Sequence, residues 1–138
     1  MSFVRRVDHV GIAVPDMAAA VARYKSWGFA VVHEETNEAQ GVREVMLAAP
    51  TGETQLQLLA PLNEQSPIAK FLDKRGPGVQ QLAFTVDDVR EAASALRAQG
   101  ATMLYEEPAR GTAGSLVNFV HPRDTGGVLI ELVQPHSA

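Results

Sequence analysis

The sequence predicts an α+β fold of two tandem βαβββ modules, related by a pseudo-twofold and forming a curved mixed sheet around a central cleft. Three observations predict it. The chain repeats itself at a spacing of 72 residues, and each copy runs strand, helix and three strands. The first strand of each copy also alternates between an apolar face and a face of small residues led by one polar group.

The repeat sets VDHVGIAVPDMAAAVARYKSWGFAVVHEE, from Val7, over VQQLAFTVDDVREAASALRAQGATMLYEE, from Val79, without a gap. Asp16 meets Asp88, Gly28 meets Gly100, and Glu34-Glu35 meet Glu106-Glu107. The same spacing places Val45 on Val117 and Leu47 on Phe119. Two extra residues in the TGG turn then raise it to 74, laying TQLQLLAP over VLIELVQP. The expected organisation is one domain over 1–138, with module 1 at about 5–62, a linking helix at about 66–75 and module 2 at about 78–135.

Each element has a local reason. In the first strand Val10, Ile12 and Val14 form an apolar face and His9, Gly11 and Ala13 the other. Asp16 can accept the free N–H groups of a first helical turn, and Gly28 can take the positive φ that ends it. Glu44 and Met46 alternate with Val45 and Leu47, and Gln57 alternates with Leu56 and Leu58. Ser66-Pro67 opens the linking helix and Gly76 closes it. The second copy repeats the plan: Gln81, Ala83 and Thr85 against Leu82, Phe84 and Val86, a helix between Asp88 and Gly100, and Glu131 between Ile130 and Leu132. His9, Glu44, Gln57, Gln81 and Glu131 are thereby expected to face one cavity.

Composition narrows the function. A chain of 138 residues can bury a core unaided, and its lack of cysteine removes disulfides, thiolate metal ligands and a cysteine nucleophile. A net charge of −4 argues against a nucleic-acid partner. No apolar run reaches membrane-spanning length, so no membrane partner is expected and the reading is cytoplasmic. No serine, histidine and acid arrangement stands out for nucleophilic catalysis.

The repeat makes His9 equivalent to Gln81 and Gln57 equivalent to Glu131, so a twofold would gather four N and O donors. Such donors suit Co²⁺, Mn²⁺, Ni²⁺ or Zn²⁺ with positions left open for substrate. Two of the four are neutral amides, which leaves a metal-free cleft open as the alternative, with Gln57 and Gln81 bonded to each other. His33, His121 and His136 lie near strand ends or the terminus and read as surface groups. Arg43, Lys70 and Arg110 are lone cations that could meet phosphates or simply keep the surface solvated.

VDHVGIAV, NEAQGVREVML, LQLLAPL, SPIAKFLDKRGPGV, LAFTVDDV, LYEEPARGTAGS, NFVHP and GVLIELVQP together resemble the methylmalonyl-CoA epimerases of the vicinal oxygen chelate superfamily, over nearly the whole chain. The resemblance implies a divalent metal, often Co²⁺, an acyl-CoA thioester substrate inverted at C2, and a homodimer. It implies His9, Gln57 and Glu131 as metal ligands and Glu44 and Glu131 as the carboxylates of proton transfer. The chain departs from the pattern twice. Gln80-Gln81 stands where the family has His-His, so Gln81 fills the fourth ligand position. Leu116 stands where a basic residue is common, and both changes are expected in the substrate cleft. Two other readings share this cleft: another malonyl-thioester reaction such as decarboxylation, and a non-catalytic small-molecule-binding protein.

Overall fold

The computed structural model describes residues 2–137. The chain divides into two compact units, one spanning His9–Gln80 and the other joining the segment before His9 to the chain from Gln81 onward. Both divisions fall inside strands, β1 (Val4–Ala13) and β5 (Gly78–Val86).

The first unit holds α1 (Met17–Ser26), β2 (Ala30–Asn37), β3 (Val42–Ala48), β4 (Gln55–Pro61) and α2 (Pro67–Arg75), in the strand order β2-β3-β4-β1. The β1–β4 pair is parallel and the others antiparallel. Asp16 caps α1 by accepting from the Ala19 N–H. Ser66 caps α2 by accepting from the Ile68 N–H, with Pro67 in its first turn and Gly76 after its end. Helix α1 covers one face of the sheet, where Val14, Val45, Leu47 and Leu58 pack with Met17, Val21 and Tyr24. Truncating fully buried Leu47 to alanine there would cost about 2–5 kcal/mol. On the other face α2 sets Ile68 against Ala13, Val42 and Leu59.

The second unit holds β5, α3 (Val89–Ala98), β6 (Ala109–Arg110), β7 (Leu116–Val120) and β8 (Ile130–Gln134), in the order β5-β8-β7-β6. Asp88 caps α3 by accepting from two N–H groups, those of Arg90 and Glu91. Val89, Ala92 and Ala93 of α3 pack on Val86, Val120 and Leu132 of the sheet to form its core. On the opposite face Ala83, Val117 and Val133 pack together. The fold is α+β, built of two strand, helix and three-strand modules, as the repeat requires.

Two expectations need correction. The segment Met103–Glu107, aligned with β2, is not a strand; it keeps a single bridge from Met103 to Val120. Asn118 explains why. Its amide takes the Tyr105 N–H at 3.1 Å and gives an N–H to the Tyr105 carbonyl at 3.0 Å, satisfying by side chain what a ladder would satisfy by backbone. The chain then bulges through Glu106 to Pro108 and rejoins the sheet only at Ala109.

The second correction concerns spacing. Gln57 faces Met46 across β4 and β3, and its repeat partner Glu131 faces Phe119, so β3 and β7 match at 73 residues and not 72. Val45 therefore corresponds to Asn118, and Glu44 to Val117. A one-residue slip exchanges the two faces of a strand, and a row of similar aliphatic residues does not reveal it. Burial does, because Val45 packs on the helix side and Val117 on the other.

Candidate active site

In the first unit the sheet face away from α1 carries the polar groups. Register places Gln57 directly beside Gly11, with Met46 across from it and Glu44 across from Leu59. Gly11 has no side chain, so the Gln57 amide can reach along the face. His9 and Gln57 are 3% and 2% exposed, while Glu44 is half-buried. Burying amide and imidazole groups this deeply is costly unless they are engaged. Both make polar interactions.

The same face holds two residues the sequence reading left out. Across β3 and β2, Glu44 stands opposite Glu35, and Met46 opposite His33. The His33 Nε2 lies 2.6 Å from Glu35 Oε1. His33 is thus inside β2, not at a strand end. Alternation puts His33 and Glu35 on one face of β2, and the β2–β3 register makes it the Glu44 face. On the reverse face Arg43 donates to Glu34 at 2.7 Å, which removes Arg43 from the list of uncommitted cations.

In the second unit Glu131 lies beside Ala83 in the β5–β8 register, the counterpart of Gln57 beside Gly11. Gln81 donates from Nε2 to Glu131 Oε1 at 2.7 Å, with the two residues 7% exposed each. The partner of Gln81 in this contact is therefore Glu131. Leu116 does not share this face. It packs into the core beneath α3, so the expectation that it lines a substrate cleft is corrected. His121 also has a structural task, its Nδ1 accepting the Arg123 N–H.

Among the described residues no group of three or more His, Asp or Glu is gathered to hold an ion. The candidate ligand set relies on amides, and its chemistry fits a divalent cation: one imidazole, one carboxylate and two amide oxygens, all buried.

Residues 8–119 match the glyoxalase/bleomycin resistance protein/dioxygenase superfamily. The chain belongs to this superfamily. Within it, the ethylmalonyl-CoA/methylmalonyl-CoA epimerase of Cereibacter sphaeroides is 40% identical over 95% of this chain and 98% of its own length. The human mitochondrial methylmalonyl-CoA epimerase is 40% identical over 94% of this chain and 73% of its own. Among solved structures, the methylmalonyl-CoA epimerase of Mycobacterium tuberculosis is 54% identical and superposes with a TM-score of 0.96, covering 99% of this chain and 92% of the other. A variant of the Streptomyces coelicolor methylmalonyl-CoA epimerase in complex with 2-nitronate-propionyl-CoA is 45% identical, with a TM-score of 0.92 over 97% of this chain and 99% of the other. These matches place the chain in the methylmalonyl-CoA epimerase family of the superfamily, the fold and family that the motifs implied.

Proposed function

We infer that the protein is an epimerase that inverts C2 of methylmalonyl-CoA or a close 2-alkylmalonyl thioester. The observation that carries this reading is full-length similarity to epimerases, together with carboxylates and amides on the sheet faces away from α1 and α3. The hydrogen at C2 lies between a thioester and a carboxylate and is weakly acidic. Its removal leaves a planar enolate, and inversion needs a proton acceptor on one side and a donor on the other.

Glu44 and Glu131 are proposed for those two tasks, with no covalent intermediate. The hydrogen bond from Gln81 orients the Glu131 carboxylate, and Ala83 beside it leaves room for substrate. His9, Gln57, Gln81 and Glu131 would hold a divalent ion, Co²⁺ being the family's expectation and Mn²⁺, Ni²⁺ or Zn²⁺ its alternatives. Such an ion, when bound, supplies Lewis-acid stabilisation of developing oxygen charge. The reading takes 1–138 as one working domain and includes a cytoplasmic homodimer. No helix among the described residues is long and apolar enough to cross a membrane.

The test is a single stereoisomer of methylmalonyl-CoA in deuterated water, with chelated protein and again after adding Co²⁺. Inversion with deuterium entering at C2 is expected, along with a loss of about 10²-fold or more in both Glu44→Gln and Glu131→Gln. Release of CO₂ would indicate decarboxylation instead, and tight binding without exchange a sequestering role. A single sedimenting species at twice the chain mass would support the homodimer.

A further inference from the structure

We propose that His33 and Glu35 form a proton path that connects Glu44 with solvent. The inference rests on Glu44 being one of the two proton-handling carboxylates. Three observations carry it. Glu35 is directly opposite Glu44 in the β2–β3 register, where opposed Cβ atoms are about 4.5–5.5 Å apart and two carboxyl groups can share a proton. His33 lies two residues back on the same face, its Nε2 at 2.6 Å from Glu35 Oε1. The side chains of His33 and Glu35 are 38% and 31% exposed, so the outer end of the row meets water.

The second unit supplies the comparison. At the register positions of Glu35 and Glu44 it holds Ala109 opposite Val117. The scaffold therefore closes without charge in this place, and two carboxylates opposed across a ladder are a cost to folding. The other groups on this face of the first unit do not supply the route: β4 offers only the amides of Gln55 and Gln57, β1 offers buried His9, and Glu34 with Arg43 lies on the reverse face. Helix α2 adds Lys70, Asp73, Lys74 and Arg75 around a separate cavity of about 420 Å³ beside Phe71.

The chemistry requires Glu44 to release a proton in each cycle, which such a path would carry. For the stereoisomer whose hydrogen faces Glu44, the carboxylate of Glu44 takes the C2 proton and becomes a carboxylic acid. The donor on the other face then delivers a proton to C2, and the product leaves with Glu44 protonated. Before the next turnover Glu44 must lose that proton to solvent, and the donor must take one back from solvent. A proton passing from Glu44 to Glu35, then to the His33 imidazole and on to buffer, restores the Glu44 carboxylate and leaves Glu35 and His33 in their starting protonation states.

The experiment measures kcat and kcat/KM for Glu35→Gln, His33→Gln and the conservative Glu35→Asp across a series of imidazole buffer concentrations. In both glutamine variants kcat is expected to fall about tenfold while kcat/KM holds within about twofold, because only the step after product release is slowed. Added imidazole should restore kcat in the variants and leave the native enzyme unchanged, and Glu35→Asp should retain most of the native value. Native kcat in both glutamine variants would overturn the path. So would a parallel fall in kcat and kcat/KM that imidazole does not relieve, which is the mark of a merely structural role. Deuterium exchange by Glu44→Gln separates the two proposals: undiminished exchange sinks Glu44 as a proton carrier, whereas lost exchange without buffer dependence in Glu35→Gln sinks the path alone.

Discussion

The two modules use one backbone plan for different ends. In the first, β2 and β3 form a long ladder with His33, Glu35 and Glu44 on one face. In the second, the counterpart of β2 is reduced to two residues, and the matching face holds Ala109, Val117 and Val133. What recurs is the placement of a polar group beside a small one: Gln57 beside Gly11, and Glu131 beside Ala83. The difference teaches that the module tolerates either a charged or an apolar edge. The charged edge in the first unit is therefore not a folding requirement.

The largest effect should come from making the second module imitate the first at its buried amide. Asn118 is 0% exposed and occupies the place that Val45 fills in the first unit. Replacing it by valine removes the Asn118 oxygen that accepts the Tyr105 N–H, while the Tyr105 carbonyl keeps the Arg97 guanidinium at 2.9 Å. A loss of about 2–3 kcal/mol is expected, the upper part of the range of about 1–3 kcal/mol for one buried hydrogen-bonding group deprived of its partner. A urea midpoint equal to that of the native protein would show that the bulge needs no side-chain support.

A smaller loss is expected at the turn that returns the second module to its sheet. A Cβ on Gly111 would lie 2.6 Å from Val117 Cγ1 and 2.8 Å from Ser115 Oγ, while its φ of −113° is open to any residue. Gly111→Ala should cost about 1–3 kcal/mol through crowding alone. Pairing it with Val117→Ala should return part of that loss in a double-mutant cycle. Strict additivity would place the cause elsewhere.

The helix caps give the finest comparison. Asp88 accepts from two backbone N–H groups and Asp16 from one. Substituting alanine at Asp88 should cost about 1 kcal/mol, and at Asp16 about half as much. Thermal melts of the two variants that rank in the opposite order would mean that packing of α1 and α3, and not their caps, decides their stability.

Much of this was legible in the chain. Both Asp caps, the Ser66-Pro67 start of α2, the alternation of β1 and β5 and the repeat itself follow from rules acting over a few residues. His9, Gln57, Gln81 and Glu131 were marked by parity and by a full-length family resemblance. The β3–β7 spacing was not legible, because valine on valine and leucine on phenylalanine look like good matches whichever face they occupy. Leu116 was misplaced for the same reason. His33 and Glu35 were missed because an ionic pair in a strand resembles ordinary surface charge until its cross-strand neighbour is known.

The sequence by itself determined the α+β class, the element order, the caps and the polar residues of the candidate site. Those follow from local propensity, period and repetition. Only the tertiary structure decided which strand residues stand opposite one another. It thereby decided that Gln81 donates to Glu131, that Asn118 replaces a stretch of ladder, and that Glu44 faces Glu35. Register is fixed by contacts between segments far apart in the chain, and a shift of one residue changes every neighbour without changing any local pattern.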